Sequence, residues 1–513
     1  MVFFRRRAAR RRVSPVVVLL VLGLMTWYFS RPPDSPVVLA VRFNVWRVRH
    51  ALGLEGGTLP VEGGGGEKYP VHIPSEVGCL IKTGYGTRHR VREQLRAFAV
   101  QGGLLGDEGR DFLVVGDWSH GGRDRGRGKA EDGDGDGGGD KHKGRDLGVR
   151  EIHDVVGLVM ESDVGRALGE HERFGKYRSL RGAVDAGDEA AAEALGREYG
   201  WELDALKFIK GMDMAYRHMP HKKWYMILDD DTFVVRASLR ALLRTLDPAR
   251  PMYLGNSVGD YRARFAHGGS AVLVSGAAMR MLFAGRPDVV ADAYARSLDE
   301  TWGDRLVATT LQRLGVYIAE PYSRYFNGET PSRTPIRPER ACVPVVSFHG
   351  LREPGAMLSL GRAVARGRSE YGRGGGHDDD DDDDDDDSNH SNHTSHDKPL
   401  LWGELWNLFA QHPLQTYAAQ HPPFRAGDLV GPAQDNPDVT TWTAVKRADD
   451  CRLKCRRGCL AWSYNTETRE CRTSPWVTAG PADAVAVAAT SPMLSGVNWS
   501  RAKSILRECR RVS

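Results

Sequence analysis

Residues 224–228 read Trp224-Tyr-Met-Ile-Leu228 and run without a break into Asp229, Asp230 and Asp231. Five successive apolar residues suit a strand buried on both faces, which belongs inside a mostly parallel sheet. Such a strand exposes carboxylates at its carboxyl end, where open α/β sheets bind their ligands. The buried stem holds the acids in place while their oxygens meet solvent. Hard divalent cations such as Mn²⁺ or Mg²⁺ take carboxylate oxygens and complete their shell with phosphate and water. An ion held this way neutralises a diphosphate leaving group as a Lewis acid. A solvated acidic turn is the plain alternative, and the Thr232-Phe-Val-Val235 stretch that follows argues against it.

The flanking chain repeats the alternation of short apolar strands and helices. Val77-Gly-Cys-Leu-Ile-Lys-Thr-Gly84 and Phe112-Leu-Val-Val-Gly-Asp117 read as buried strands, with a helix from Val91 between them. Leu203, Leu206, Ile209 and Met212 recur at helical spacing, and Pro220 closes that helix. The expected fold is an α/β sandwich with a mostly parallel central sheet, spanning residues 69–360. With 41% hydrophobic and 27% charged residues, a packed core is feasible over much of the chain. The 59 glycines cluster. Residues 121–146 are a Gly/Asp/Arg/Lys insert, and residues 361–398 form an acidic linker with ten consecutive Asp at 378–387. Neither tract can bury a core. Lys and Arg exceed Asp and Glu by only four, which excludes a global basic field for nucleic acid.

Residues 13–29 carry no charge and follow six arginines in residues 1–12. Seventeen residues rise about 26 Å as a helix, near the lower limit for a bilayer. Trp27 and Tyr28 stand at the far end, where aromatic rings prefer the interface. The expectation is a single-pass signal anchor with a cytosolic basic tail, a stem at 30–68 and a lumenal body. Sequons at Asn389, Asn392 and Asn498 suit a lumenal compartment. So do seven cysteines, five of them after residue 450, the odd count leaving one thiol free or paired between chains. Residues 399–513 read as a small Cys-rich module whose Cys451-x3-Cys455-x3-Cys459 spacing is unlike a zinc site.

Taken together, these segments resemble the Fringe and core 1 β1,3-galactosyltransferase superfamily, glycosyltransferase family 31, and its fungal-type members in particular. Residues 224–234 are similar to that family's metal-binding strand, and Leu80-Ile-Lys-Thr-Gly84 to its first, nucleotide-holding strand. Phe265-Ala-His-Gly-Gly-Ser-Ala271 resembles the donor-sugar loop, Trp302-Gly-Asp304 the acidic motif before the catalytic helix, and Ser347-Phe-His349 the late histidine ligand. The C-terminal region is similar to PAN/apple modules, whose cysteines form disulfides around a small sheet.

The resemblance implies a GT-A-type nucleotide-sugar-binding fold and an inverting, Mn²⁺-dependent transferase, with Mg²⁺ as the alternative ion. It would move galactose or N-acetylglucosamine, in β1,3 linkage, from a UDP-sugar donor to a glycan or glycoprotein acceptor at the Golgi membrane. Asp231 and His349 would be the metal ligands. Asp229 and Asp230 would lie at the nucleotide, Asp230 on the ribose or a metal-bound water. Lys82, Thr83 and Asp117 sit at strand ends suited to UDP; Lys207 faces the diphosphate or solvent. Gly268 and Gly269 would let backbone approach the sugar, or form a plain turn. Trp302 stacks on a sugar or packs in the core. Asp304 would be the general base, and Thr301-Trp-Gly-Asp304 also reads as a helix capping box. The family pattern has two adjacent acids here; this chain has Gly303-Asp304. A catalytically silent lectin-like or scaffold protein on the same fold is the competing reading. A hydrolase is weaker, because no second acid is placed to flank a glycosidic bond.

Overall fold

The computed structural model describes residues 15–52, 54, 68–119, 149–371, 398–409, 425–426, 428–431, 436–456, 458–479 and 492–512. The body's strands are β1 (Val77–Lys82), β2 (Phe112–Gly116), β3 (His153–Asp154), β4 (Trp224–Asp229), β5 (Phe233–Val234), β6 (Tyr253–Gly255), β7 (Ser257–Val258), β8 (Phe265–Ala266), β9 (Val272–Ser275) and β10 (Ser347–Phe348). Six of them form one sheet in the order β3-β2-β1-β4-β9-β6, parallel except for β9. As the apolar run predicts, β4 sits inside the sheet with Trp224 to Leu228 buried. It pairs with β1 from Val77↔Trp224 to Lys82↔Asp229, so the register alone sets Lys82 beside the first acid of the triplet.

The helix Glu189–His218 crosses β1 and β2 and receives the helices Glu172–Asp185 and Gly303–Gln312. Asp188 caps its start by accepting from the Ala191 amide at 3.0 Å, and the helix ends just before Pro220. A Cβ on Gly211 would come within 3.0 Å of Leu80 Cδ2, so glycine lets this helix sit close on β1. A second pair, His89–Val100 and Ala356–Tyr371, packs with Gly361 against Ala97. Two short antiparallel ribbons, β5 with β10 and β7 with β8, fold back beside the carboxyl ends of the sheet.

The C-terminal strands β11 (Arg425–Ala426), β12 (Thr440–Trp442), β13 (Ala461–Asn465), β14 (Cys471–Ser474) and β15 (Met493–Val497) form an antiparallel sheet in the order β11-β15-β13-β14-β12. Disulfides join Cys451 to Cys471, Cys455 to Cys459, and Cys342 in the body to Cys509 in the last helix. The one free thiol, Cys79, is buried in β1. Leu400, Trp402, Leu429 and Val477 join the same core cluster as the central sheet, so the module packs on the body.

At the other end, the apolar segment forms the helix Pro15–Phe29 with no buried residue. Its fifteen residues rise about 22 Å, against a hydrocarbon core of about 30 Å. Among the described residues no helix is long and apolar enough to cross a membrane, so the expectation of a spanning anchor gains no support from the structure. The stretch read as a stem holds a second helix, Pro36–Ala51, which lies on the body. Arg42 stacks over Tyr317 with its guanidinium 3.7 Å from the ring centroid, and Tyr317 Oη donates to the Pro33 carbonyl at 2.6 Å. The insert at 121–146, positions 372–397 of the acidic linker, and the sequons at Asn389 and Asn392 lie outside the described residues, whereas the helix Ala356–Tyr371 carries the body past the expected boundary at 360 into the tract read as linker.

Candidate active site

The carboxyl end of β4 opens into a cleft of about 640 Å³. Asp229 leaves the strand half-buried, with its Oδ1 2.9 Å from Lys82 Nζ. Lys82 is buried, reaches Asp204 at 3.0 Å as well, and lies 3.3 Å from the Phe208 ring centroid. Burial disfavours its charge, but the two carboxylates outweigh that and hold its pKa above the usual value.

Asp230 turns the other way, into the fold. Its Oδ2 accepts from Thr83 Oγ1 at 2.6 Å and from Thr87 Oγ1 at 2.5 Å, and Arg90 lies 3.3 Å from Oδ1. Burial pushes its carboxyl up to about 6 against those hydrogen bonds. Asp231 faces His349, with Oδ1 3.3 Å from Nε2, and Arg352, with Oδ2 2.9 Å from Nε. Burial raises this carboxyl too, yet His349 and Arg352 outweigh it and hold it well below the usual range. His349 is correspondingly raised: burial opposes its charge and Asp231 overrides that.

Ligand atoms of Asp229, Asp231 and His349 lie within 4.8 Å of one another. Two carboxylates and an imidazole fit a borderline-to-hard divalent cation such as Mn²⁺, and the set leaves room for phosphate or water to complete a shell. Sequence reasoning placed Asp229 at the nucleotide; the geometry also groups it with the two expected ligands, Asp231 and His349.

Gly268 and Gly269 join this cluster to the acid at the start of the helix Gly303–Gln312. A Cβ on Gly269 would stand 2.2 Å from His349 Nε2, so any side chain there would displace the His349 ring. Gly268 N donates to Asp304 Oδ2 at 2.8 Å, and Arg305 N donates to Oδ1 at 2.8 Å. Asp304 lies in the first turn of the helix Gly303–Gln312 and lines the cleft. Burial pushes its carboxyl up to about 6, against the two amide hydrogen bonds and Lys82. The loop is fixed from below: Thr232 Oγ1 donates to the Gly269 carbonyl at 2.8 Å, and Ser347 Oγ to that of Ser270 at 2.6 Å. Ala271 closes it at φ 68°, a conformation costing about 1–3 kcal/mol that its buried surroundings impose.

Residues 201–319 match the family model described as Fringe-like. That stretch is similar to a Fringe-like glycosyltransferase domain. No curated protein matches the chain. The matched stretch holds the Asp triplet, the Gly-Gly loop and Asp304, whereas Lys82, Thr83, Asp117 and His349 lie outside it and reach the same region through the fold.

Around this cleft the expected residues fall into two layers. Asp229, His349, Gly268, Gly269, Trp302 and Asp304 line it, with Asp231 at its floor in contact with His349. Trp302 is 47% exposed, so it is not core. Beneath them lie Thr83, Asp117, Lys207 and Asp230, all buried. Lys207 faces neither solvent nor the cleft: its Nζ is 2.8 Å from Asp117 and donates to the Thr83 carbonyl at 2.9 Å. Lys82 links the layers. Trp201, Asp204 and Phe208 were missed, although their i, i+3, i+7 spacing marks a second face of the long helix. Arg352 and Gln94 were missed as well. Gln94 Nε2 donates to the carbonyls of Asp229 and Thr232 at 2.8 and 2.7 Å, and nothing local in the sequence announces that role.

Proposed function

We propose that the protein is a metal-dependent inverting glycosyltransferase that moves a hexose or N-acetylhexosamine, galactose or N-acetylglucosamine foremost, from a UDP-sugar to a glycan or glycoprotein hydroxyl. A β1,3 linkage is part of the proposal, by analogy with the family. One observation carries the reading. A partly buried carboxylate with a raised pKa, Asp304, shares a cleft with the Asp229–Asp231–His349 group and is tied to it through two adjacent glycines.

Asp304 takes the proton of the acceptor hydroxyl as that oxygen attacks the anomeric carbon; the bond from that carbon to the UDP oxygen breaks, and UDP leaves with the electron pair. Attack opposite the leaving group inverts the centre. A cation held by Asp229, Asp231 and His349 would supply charge neutralisation at the diphosphate. The amides of Gly268 and Arg305 keep Asp304 aimed, and the bare backbone at Gly268 and Gly269 leaves room for the sugar. A Golgi setting, with the helix Pro15–Phe29 held at the membrane, is likewise our proposal. The three disulfides and that helix's exposed apolar surface support it.

UDP release by the full chain tests the proposal, with UDP-galactose, UDP-N-acetylglucosamine and UDP-glucose, each with Mn²⁺ or a chelator. Turnover of one donor that is lost with chelator, Asp231→Ala and Asp304→Ala is the expected result. Neither binding nor turnover of any donor would sink it, and glycan binding indifferent to Asp304→Ala would favour the lectin-like reading.

A further inference from the structure

A second cleft, of about 860 Å³, lies between the helix Pro36–Ala51 and the body. Its walls carry four arginines, Arg42, Arg49, Arg250 and Arg264, and a single acid, Glu320. Arg264 already matches that acid, with Nε 2.7 Å from Oε1 and Nη2 3.1 Å from Oε2. Arg42 stacks on Tyr317, while Arg49 and Arg250 form no ion pair among the described residues. Among the described residues, three guanidinium groups are therefore left around one concavity without a counter-charge, an arrangement that favours an anion. Aromatic rings stand between them. Trp46 is one, and its buried indole Nε1–H has no acceptor among the described residues.

Guanidinium forks pair with carboxylates and sulfates through two parallel hydrogen bonds. Tyrosine and tryptophan add an apolar body with a polar tip, which suits the mixed faces of sugar rings. The cleft also adjoins the active site. Gly259 lines the catalytic cleft, Tyr261 and Arg264 line this one, and Arg264 Nη1 donates to the Gly259 carbonyl at 2.9 Å. We propose that this cleft binds an acidic carbohydrate, the carboxylate- or sulfate-bearing part of the acceptor glycan. The word acceptor rests on the transferase reading; the binding itself does not.

The test is isothermal titration of the full chain with an oligogalacturonate and a heparin-derived hexasaccharide. Maltohexaose serves as the neutral probe and phosphatidylserine vesicles as the lipid probe. The expected result is at least one acidic oligosaccharide binding about tenfold or more tighter than maltohexaose, as hydrogen bonds to charged groups imply. The paired substitution Arg49→Glu/Arg250→Glu, or the milder Arg49→Gln/Arg250→Gln, should remove that advantage while leaving acceptor-free UDP release unchanged. Because the N-terminal arginines attract sulfate by themselves, the paired variants decide the matter. Equal affinity for acidic and neutral probes, unaltered affinity in both paired variants, or binding by vesicles alone would overturn the proposal. Acidic binding through Arg49 and Arg250 without turnover of any donor would leave this site standing and remove only the transferase reading.

Discussion

Asp304 shows how one side chain is held in a costly state. Its carboxyl ionises near 6 in the fold, against about 3.9 in an unfolded chain, so between those values the folded state binds more protons. Stability contributed by this group is present below pH 4 and is lost as pH rises through 6. Asp304→Asn removes a penalty of about 3 kcal/mol at pH 7.5 and forfeits one backbone hydrogen bond, about 1 kcal/mol. The variant should melt higher than wild type at pH 7.5 with the gap closing at pH 4, and its turnover should fall about 10²–10⁴-fold. Wild-type turnover should rise through pH 6 as the base ionises.

The neighbouring acids divide by orientation. The rise in melting temperature on adding Mn²⁺ should vanish in Asp229→Ala and Asp231→Ala and persist in Asp230→Asn, whose side chain points into the fold. Loss of the Mn²⁺ shift in Asp230→Asn alone would contradict this geometry. Gly269→Ala would drive a methyl onto His349 Nε2; it should cost about 1–3 kcal/mol and weaken Mn²⁺ binding, read by melting with and without the ion.

At the scale of elements, the strand and its tip depend on a helix far off in sequence. Gln94, fully buried on the helix His89–Val100, ties down the carbonyls of Asp229 and Thr232 on either side of Asp230 and Asp231. Gln94→Ala leaves both carbonyls without that donor, a cost of about 1–3 kcal/mol by chemical denaturation. It should also raise the Mn²⁺ concentration needed for half-maximal UDP release, because the ligands lose their footing. An unchanged Mn²⁺ requirement would mean that β4 and its turn hold the triplet unaided. The hydrophobic run at 224–228 announces β4, and the periodicity from Leu203 announces the helix behind it. Gln94, by contrast, reads as an ordinary polar residue on a helix, because its partners come from a turn 135 and 138 residues away.

For the whole molecule, the C-terminal sheet is part of the body's stability. Cys342–Cys509 closes 167 residues of chain, and Leu400, Trp402, Leu429 and Val477 enter the common core. Cys342→Ser/Cys509→Ser should lower unfolding stability by about 2–4 kcal/mol, measured on the full chain under oxidising conditions. A loss confined to the C-terminal sheet, with the body's transition unchanged, would show that the two parts unfold separately. Cysteine counting alone indicates one unpaired thiol and a disulfide-bearing tail. It cannot pick out Cys342–Cys509, since pairing needs two Cα atoms within bonding reach and only the fold sets that distance.

The sequence by itself determined the α/β class, the buried strand that carries the Asp triplet, the long helix that Pro220 ends, and Asp304 at a helix start. Most are legible because they are local patterns of burial and chain punctuation, set within a few residues. The capping box expected at Thr301–Asp304 does not form, since Trp302 stands at the N-cap without a side-chain cap and Asp304 binds the amides of Gly268 and Arg305 instead. The tertiary structure decided which acid faces which partner. The β1–β4 register put Lys82 against Asp229, the turn after β4 sent Asp230 inward and Asp231 toward His349, and the packing of the long helix paired Lys207 with Asp117. It also laid the helix Pro36–Ala51 on the body, where sequence alone suggested a spacer. These outcomes depend on distances between segments remote along the chain, and no local pattern encodes such distances.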